Sequence, residues 1–305
     1  MVEGDSVYDV SEVAPAGLRD LRVHMNWLIG NWASVLPKVK KLRAEATAVP
    51  LSSARLLPPS PHPSHIFAAP ANYQKHIGEL GERAVSMKTT RENGFFLKAP
   101  GSLAGPADGI RLPRGSIRRF DHEAELAVII GKRARNVPRS EALDYVFGYS
   151  CLVDLTMRIE RGAHEEERSM RKSFETFTPL GPYLVTADEI PDPQKLQIKL
   201  WNNGVLMQNF NSDDMAHKIA RCIEWVTSIH TLEAGDILAT GTNHRGLNPF
   251  MDGDKIEIET EGLGRLTFNV RDDLKREWKR ETRLQRQEQG HDSPTPQIGG
   301  KYAKS

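Results

Sequence analysis

The sequence predicts an α+β protein with more strand than helix. Short apolar runs rich in β-branched residues recur, each closed by glycine or polar turns; residues 120–131, 145–154 and 235–242 are the strongest. Two further pairs of runs read as hairpins: 196–201 with 205–207 around Asn203-Gly204, and 256–260 with 266–270 around Gly262-Leu263-Gly264. Against these, residues 213–230 form the best helix of the chain. Met215, Ile219, Cys222, Ile223, Val226 and Ile229 fall on one stripe there, after the capping candidates Ser212 and Asp213.

A chain of 305 residues with 39% apolar content holds one large domain or two modest ones. Its formal charge of +1 argues against a surface built for nucleic acid. No apolar run is long enough to span a bilayer, and the acidic start lacks the layout of a signal peptide. Two cysteines, Cys151 and Cys222, exclude a disulfide framework; the cytoplasm is the expected compartment.

Taken in order, residues 1–63 are expected to be a small N-terminal domain with a linker. Leu18, Leu21, Met25, Leu28 and Ile29 have helical spacing, the basic stretch 38–43 continues as a solvated helix, and the proline-rich stretch 58–64 forces an extended boundary. The main domain, 64–275, opens with a strand at 65–69 and a short helix at 72–80. On that helix His76 and Glu79 are three apart and share a face, either as a surface pair or as a base oriented by a carboxylate. Residues 81–94 read as a polar loop and 95–98 as another strand.

In 120–131, Glu123 and Glu125 lie two apart and so on one face of a strand whose two faces are both apolar. Either these carboxylates sit in water at the strand end, or something positive neutralises them, for which a hard divalent cation is the natural candidate. Asp154 closes the next buried strand, as a helix N-cap or as a third oxygen ligand. Arg158, one turn on, pairs with Asp154 or holds an anionic substrate. Residues 160–171 are almost wholly charged and read as solvated. Lys172, ahead of a Pro/Gly-rich turn, is either a surface lysine or an ammonium placed in a pocket. At the end of 235–242, Gly241 lets backbone N–H groups approach a ligand, and the Thr242 hydroxyl can donate to a carboxylate. Cys222 lies on the apolar helix stripe and reads as core. Residues 276–305 are expected to be a charged, partly disordered tail.

These segments together resemble the fumarylacetoacetate hydrolase superfamily over about 66–270. The segments that carry the resemblance are Asn72-Tyr73 with His76 and Glu79, Phe95-Phe96-Leu97-Lys98-Ala99-Pro100, and Asp121-His122-Glu123-Ala124-Glu125-Leu126. Gly148-Tyr149 with Asp154, Lys172-Ser173-Phe174 with Pro179-Leu180-Gly181-Pro182, and Gly235-Asp236-Ile237 with Thr240-Gly241-Thr242 complete the set. The resemblance implies a mainly β fold, mixed sheets rolled around a metal site. It implies Mg²⁺ or Mn²⁺ on Glu123, Glu125 and Asp154, with Ca²⁺ as an occupant in crystals. It also implies a homodimer acting on a small-molecule 2-oxo acid, with no membrane or nucleic-acid partner. His76 and Glu79 match the family's base pair and Lys172 its pocket lysine. Arg158, Gly241, Thr242, Tyr73, Gln208 and Arg245 make up the expected substrate-binding set.

The reaction expected first is hydrolysis of a C–C bond in a 2,4-dioxo acid of the acylpyruvate or fumarylpyruvate type. The alternatives are a hydratase, isomerase or oxaloacetate-type decarboxylase on the same scaffold, and a catalytically silent binding protein. The chain departs from the family pattern at Val153-Asp154-Leu155-Thr156-Met157-Arg158, which keeps only the acid and the arginine of the usual run. It departs again at Asn243, where proline is common, and in the loop from His244 to Phe250. His244 and Arg245 are expected there to read a second polar group on the substrate.

Overall fold

The computed structural model describes residues 1–18, 21–79, 94–116, 118–158, 168–291 and 295–303. Within it, a seven-stranded sheet runs in the order Phe96–Lys98, Ile66–Ala68, Ile237–Ala239, Ala124–Ile130, Val146–Val153, Thr178–Thr186, Leu103–Ala104. A five-stranded sheet runs Val205–Asn211, Gln197–Asn202, Lys255–Thr260, Gly264–Arg271, Ile110–Arg111. The pairing is mixed, since Ile237–Ala239 is parallel to Ile66–Ala68 and antiparallel to Ala124–Ile130. The protein is thus mainly β with few helices, as the resemblance implied.

The Ala124–Ile130 strand is buried along its whole length. Its period of two divides it between two cores. Leu126, Val128 and Ile130 join Ile198, Leu200, Ile256, Ile258 and Phe268 of the five-stranded sheet. Ala127 and Ile129 face the other way, onto Ile66, Leu152, Ile237 and Ile29 of the N-terminal segment. The expected hairpins form: Asn203 and Gly204 both take positive φ (51° and 78°) at the turn between Gln197–Asn202 and Val205–Asn211.

The best helix starts later than its stripe suggests. Residues 212–214 make a 3₁₀ turn, in which the Asn211 side chain accepts from the Asp213 N–H, and the α-helix covers Ile219–Ile229. Its N-terminus is served from elsewhere, by Gln194 Oε1 accepting from the Ile219 N–H at 2.6 Å. Cys222 is buried in the core as expected. Met215 is buried outside the helix, and Ile229 is exposed.

At the N-terminus, Leu21–Gly30 and Trp32–Glu45 are helices beside a small sheet of Val2–Glu3, Ser6–Val7 and Val49–Pro50. The proline-rich stretch packs tightly on the body: Ser60 is buried and its hydroxyl donates to Gly235 O at 2.7 Å. Where they are described, the residues of the expected charged, partly disordered tail carry regular structure. Glu277–Trp278 pairs with Gln297–Gly299, and Arg283–Glu288 is a helix closed by a Thr282–Gln285 capping box. Charge misleads here because Arg276 is fully buried, paired with Asp272 and lying over the Phe120 ring, with Trp278 beside it.

Candidate active site

Strand pairing assembles the acidic cluster. Ala124 is opposite Val153, and the Asp154 N–H donates to Glu123 O at 2.8 Å, so the acid after one strand lands beside the acid before the other. One carboxylate oxygen from each of Glu123, Glu125 and Asp154 lies within 4.8 Å of the others, and all three residues are buried.

The three acids are not equivalent. Lys172 Nζ donates to Glu123 Oε2 (2.7 Å), Asp154 Oδ2 (2.5 Å) and Thr156 Oγ1 (2.7 Å). Arg158 Nη2 donates to Glu123 Oε1 at 2.8 Å, and His244 Nε2 stands 3.4 Å from the same oxygen. Burial raises the Glu123 carboxyl's pKa, but Lys172 and Arg158 outweigh it and hold it well below the ordinary value. Lys98 Nζ donates to Asp154 Oδ1 and also to the carbonyls of Lys172 (2.5 Å) and Phe177 (3.2 Å).

Among the described residues Glu125 makes no contact ion pair; its Oε2 accepts the Gly241 N–H at 2.7 Å, and Lys172 acts on it only through space. Burial, then repulsion from Asp154 and Glu123, pushes its carboxyl well above the ordinary value. A buried carboxylate facing two others, with oxygen as the only donor type, fits a hard divalent cation. Glu123, Glu125 and Asp154 would hold that ion.

Gly241 and Thr242 are committed to protein contacts. Gly241 has φ +90°, and a Cβ there would stand 3.0 Å from Asn72 Cβ, so only glycine brings this N–H to Glu125. Thr242 Oγ1 accepts from Gln208 Nε2 at 2.9 Å. Gln208 is a buried bridge: its Oε1 accepts from the Ala124 N–H (3.1 Å) and from His122 Nδ1 (3.0 Å), while Nε2 also donates to Asn243 O (2.8 Å). Arg158 Nε donates to Asp121 Oδ2 at 2.7 Å, so this guanidinium spans Asp121 and Glu123 rather than pairing with Asp154. Tyr73 is fully buried, its ring edge-on to Phe210 at 5.0 Å. Arg245 is exposed. His76 and Glu79 belong to the helix Gln74–Glu79, but their side chains lie outside the described residues.

Sequence reasoning missed Lys98, Arg119 and Asp121 as site residues. Asp121 had a signal, since it continues the two-residue spacing of Glu123 and Glu125. Lys98 had one only in hindsight of burial: it is the inward residue of a short strand whose Leu97 is exposed.

Strands that converge on a buried three-carboxylate cluster define a candidate centre for a divalent cation. The chain belongs to the fumarylacetoacetate hydrolase family: the family's C-terminal domain, described as "Fumarylacetoacetate (FAA) hydrolase C-terminal", matches residues 65–271. It is 40% identical over 281 residues to a maleylpyruvate hydrolase of Aquipseudomonas alcaligenes, covering 89% of this chain and 95% of the relative. A crystal structure of maleylpyruvate hydrolase from Sphingobium sp. SYK-6, in complex with manganese(II) and pyruvate, superposes with a TM-score of 0.77. That pair shares 36% identity over 89% of this chain and 95% of that one. A 2-hydroxyhepta-2,4-diene-1,7-dioate isomerase from Mycobacterium marinum gives a TM-score of 0.64 at 30% identity, covering 74% of this chain and 81% of that one.

Proposed function

We propose that this protein is a divalent-metal-dependent hydrolase that cleaves a C–C bond of a 2,4-dioxo acid of the acylpyruvate type. The observation that carries the reading is the buried Glu125, without a contact ion pair among the described residues, beside Glu123 and Asp154. The likeness to two maleylpyruvate hydrolases, one with manganese and pyruvate, supports it. Manganese or magnesium, when bound, supplies a Lewis acid for the carboxylate and keto oxygens of the substrate.

The chain's own groups do the rest. Lys172 offsets negative charge as the bond between C3 and C4 breaks. His76, oriented by Glu79, takes a proton from the water that attacks the C4 carbonyl; the new C–O bond forms at C4 and C3 ends protonated, giving pyruvate and a carboxylic acid. Arg158 and Gln208 hold the acids and the Gly241-Thr242 turn in place, and His244 and Arg245 meet the distal end of the substrate. Charge favours an anion. Lys98, Arg119, Arg158, Arg171 and Lys172 surround Asp121, Glu123, Glu125 and Asp154, so a bound dication would add positive charge that an anionic substrate offsets. The protein acts as a homodimer in the cytoplasm, a reading supported by family resemblance and by two buried free thiols.

The test is turnover of an acylpyruvate series, oxaloacetate and 2-hydroxydienoates by chelator-treated protein with and without Mn²⁺ or Mg²⁺, with products identified. Metal-dependent release of pyruvate plus an acid is expected. Isomerised dienoate or CO₂ alone would transfer the reading to the isomerase or decarboxylase alternative, the former already favoured by the Mycobacterium marinum neighbour. No metal-dependent turnover of any of them would end it.

A further inference from the structure

The C-terminal residues lie beyond the span matched by the family's domain, which ends at 271. They nevertheless reach the acidic cluster through a continuous hydrogen-bond network. Thr295 Oγ1 accepts from Arg119 Nη1 at 2.9 Å; Arg119 Nη2 donates to Asp121 Oδ2 at 2.7 Å; Arg158 Nε donates to that same oxygen at 2.7 Å; and Arg158 Nη2 donates to Glu123 Oε1 at 2.8 Å. Thr295, Arg119, Asp121 and Glu123 are buried and Arg158 is half-buried, so solvent screens these contacts weakly.

The geometry points to Thr295, Arg119 and Asp121 as positioning residues for Glu123, which makes the C-terminal segment a working part of the metal centre. The physical reason lies in the sharing of one oxygen. Both guanidiniums converge on Asp121 Oδ2, and among the described residues Asp121 Oδ1 has no hydrogen-bond partner, so the carboxylate is fixed through a single oxygen. What keeps Arg119 on that oxygen is its second anchor, Thr295. Release of that anchor lets Arg119 turn, Asp121 follow, and Arg158 lose the geometry that aims it at Glu123. Ligand orientation of this kind is what outer partners of a metal site supply. The same segment is fixed close by: the Leu284 N–H reaches Arg245 O at 3.4 Å, and Arg280 pairs with Asp254. The C-terminal residues therefore hold both the Glu123 side of the centre and the 243–250 loop.

The inference rests on the metal reading of the three acids, and calorimetric Mn²⁺ titration of the full, chelator-treated chain separates the two. Thr295→Val keeps the shape and removes the acceptor; it should weaken Mn²⁺ binding by about 5-fold or more. Thr295→Ser should restore binding to within about 2-fold of the parent, since the hydroxyl returns. Arg119→Lys, which keeps the charge for Asp121 but cannot span to Thr295, should behave as the valine variant and serves if that one does not fold. A merely structural role would lower the metal-free melting temperature and leave Mn²⁺ affinity at the parent value; that result overturns the inference alone. A parent chain that binds no Mn²⁺ overturns the metal reading and this inference with it.

Discussion

Replacing Lys172 with methionine removes one ammonium from between two buried carboxylates. The side chain is 6% exposed, so water cannot substitute for it. Breaking a buried ion pair by removing one partner costs about 3–5 kcal/mol. The lower end applies here, because Glu123 keeps Arg158 and Asp154 keeps Lys98. At about 2.1 cal/mol/K of unfolding entropy per residue, a loss of about 3 kcal/mol lowers the melting temperature of the metal-free chain by about 5 °C. Addition of Mn²⁺ should then act in the opposite sense. With one positive charge fewer beside Glu123 and Asp154, the cation meets less repulsion, and the metal-induced rise should exceed that of the parent. Thermal unfolding of both chains, in chelator and in Mn²⁺, checks this. A metal-free melting temperature within about 1 °C of the parent would refute the pairing, and a smaller metal-induced rise would refute the charge argument.

Three further outcomes follow from the same geometry. Glu125 is raised above its ordinary value, so in the metal-free folded state it keeps a proton that the unfolded chain releases. Metal-free stability should therefore decline as pH rises above the ordinary carboxylate value of 4.5, while Mn²⁺ affinity climbs with proton release; Glu125→Gln should abolish binding, and an affinity flat with pH would contradict the assignment. His76→Ala should leave Mn²⁺ affinity unchanged and lower kcat by about 100-fold or more, measured by pyruvate release. Trp278→Ala should lower the melting temperature, since truncation of a buried tryptophan costs about 3–5 kcal/mol; an unchanged value would show that the C-terminal hairpin contributes nothing to the fold.

The strands and the core acids were legible because both depend on local periodicity. Alternation alone put Glu123 and Glu125 on one face, and the apolar run before Asp154 put that acid at a strand end. The helix start was not legible: Ser212 and Asp213 have the chemistry of a cap, but the N–H group that needs one is satisfied by Gln194, some twenty-five positions away. Lys98 was hidden for the same reason, since its partners Asp154, Lys172 and Phe177 come from remote segments. The packing of the C-terminal residues was not legible because charged composition normally signals solvent, whereas Arg276 lies buried against Asp272 and two aromatic rings. For Gly241 and Thr242 the sequence could not show the protein contacts, since the turn's partners Glu125 and Gln208 are remote in the chain.

Both sides of the Ala124–Ile130 strand are covered by different neighbours, and this has a bearing on engineering. Sliding the strand by a single position would exchange its two sets of side chains, pushing leucine and valine where alanine now fits and turning both glutamates away from Asp154. Attempts to transplant this centre into another scaffold therefore have to carry the Val146–Val153 neighbour along with it, in the same alignment. Redesign of specificity is better confined to the loops that ride above.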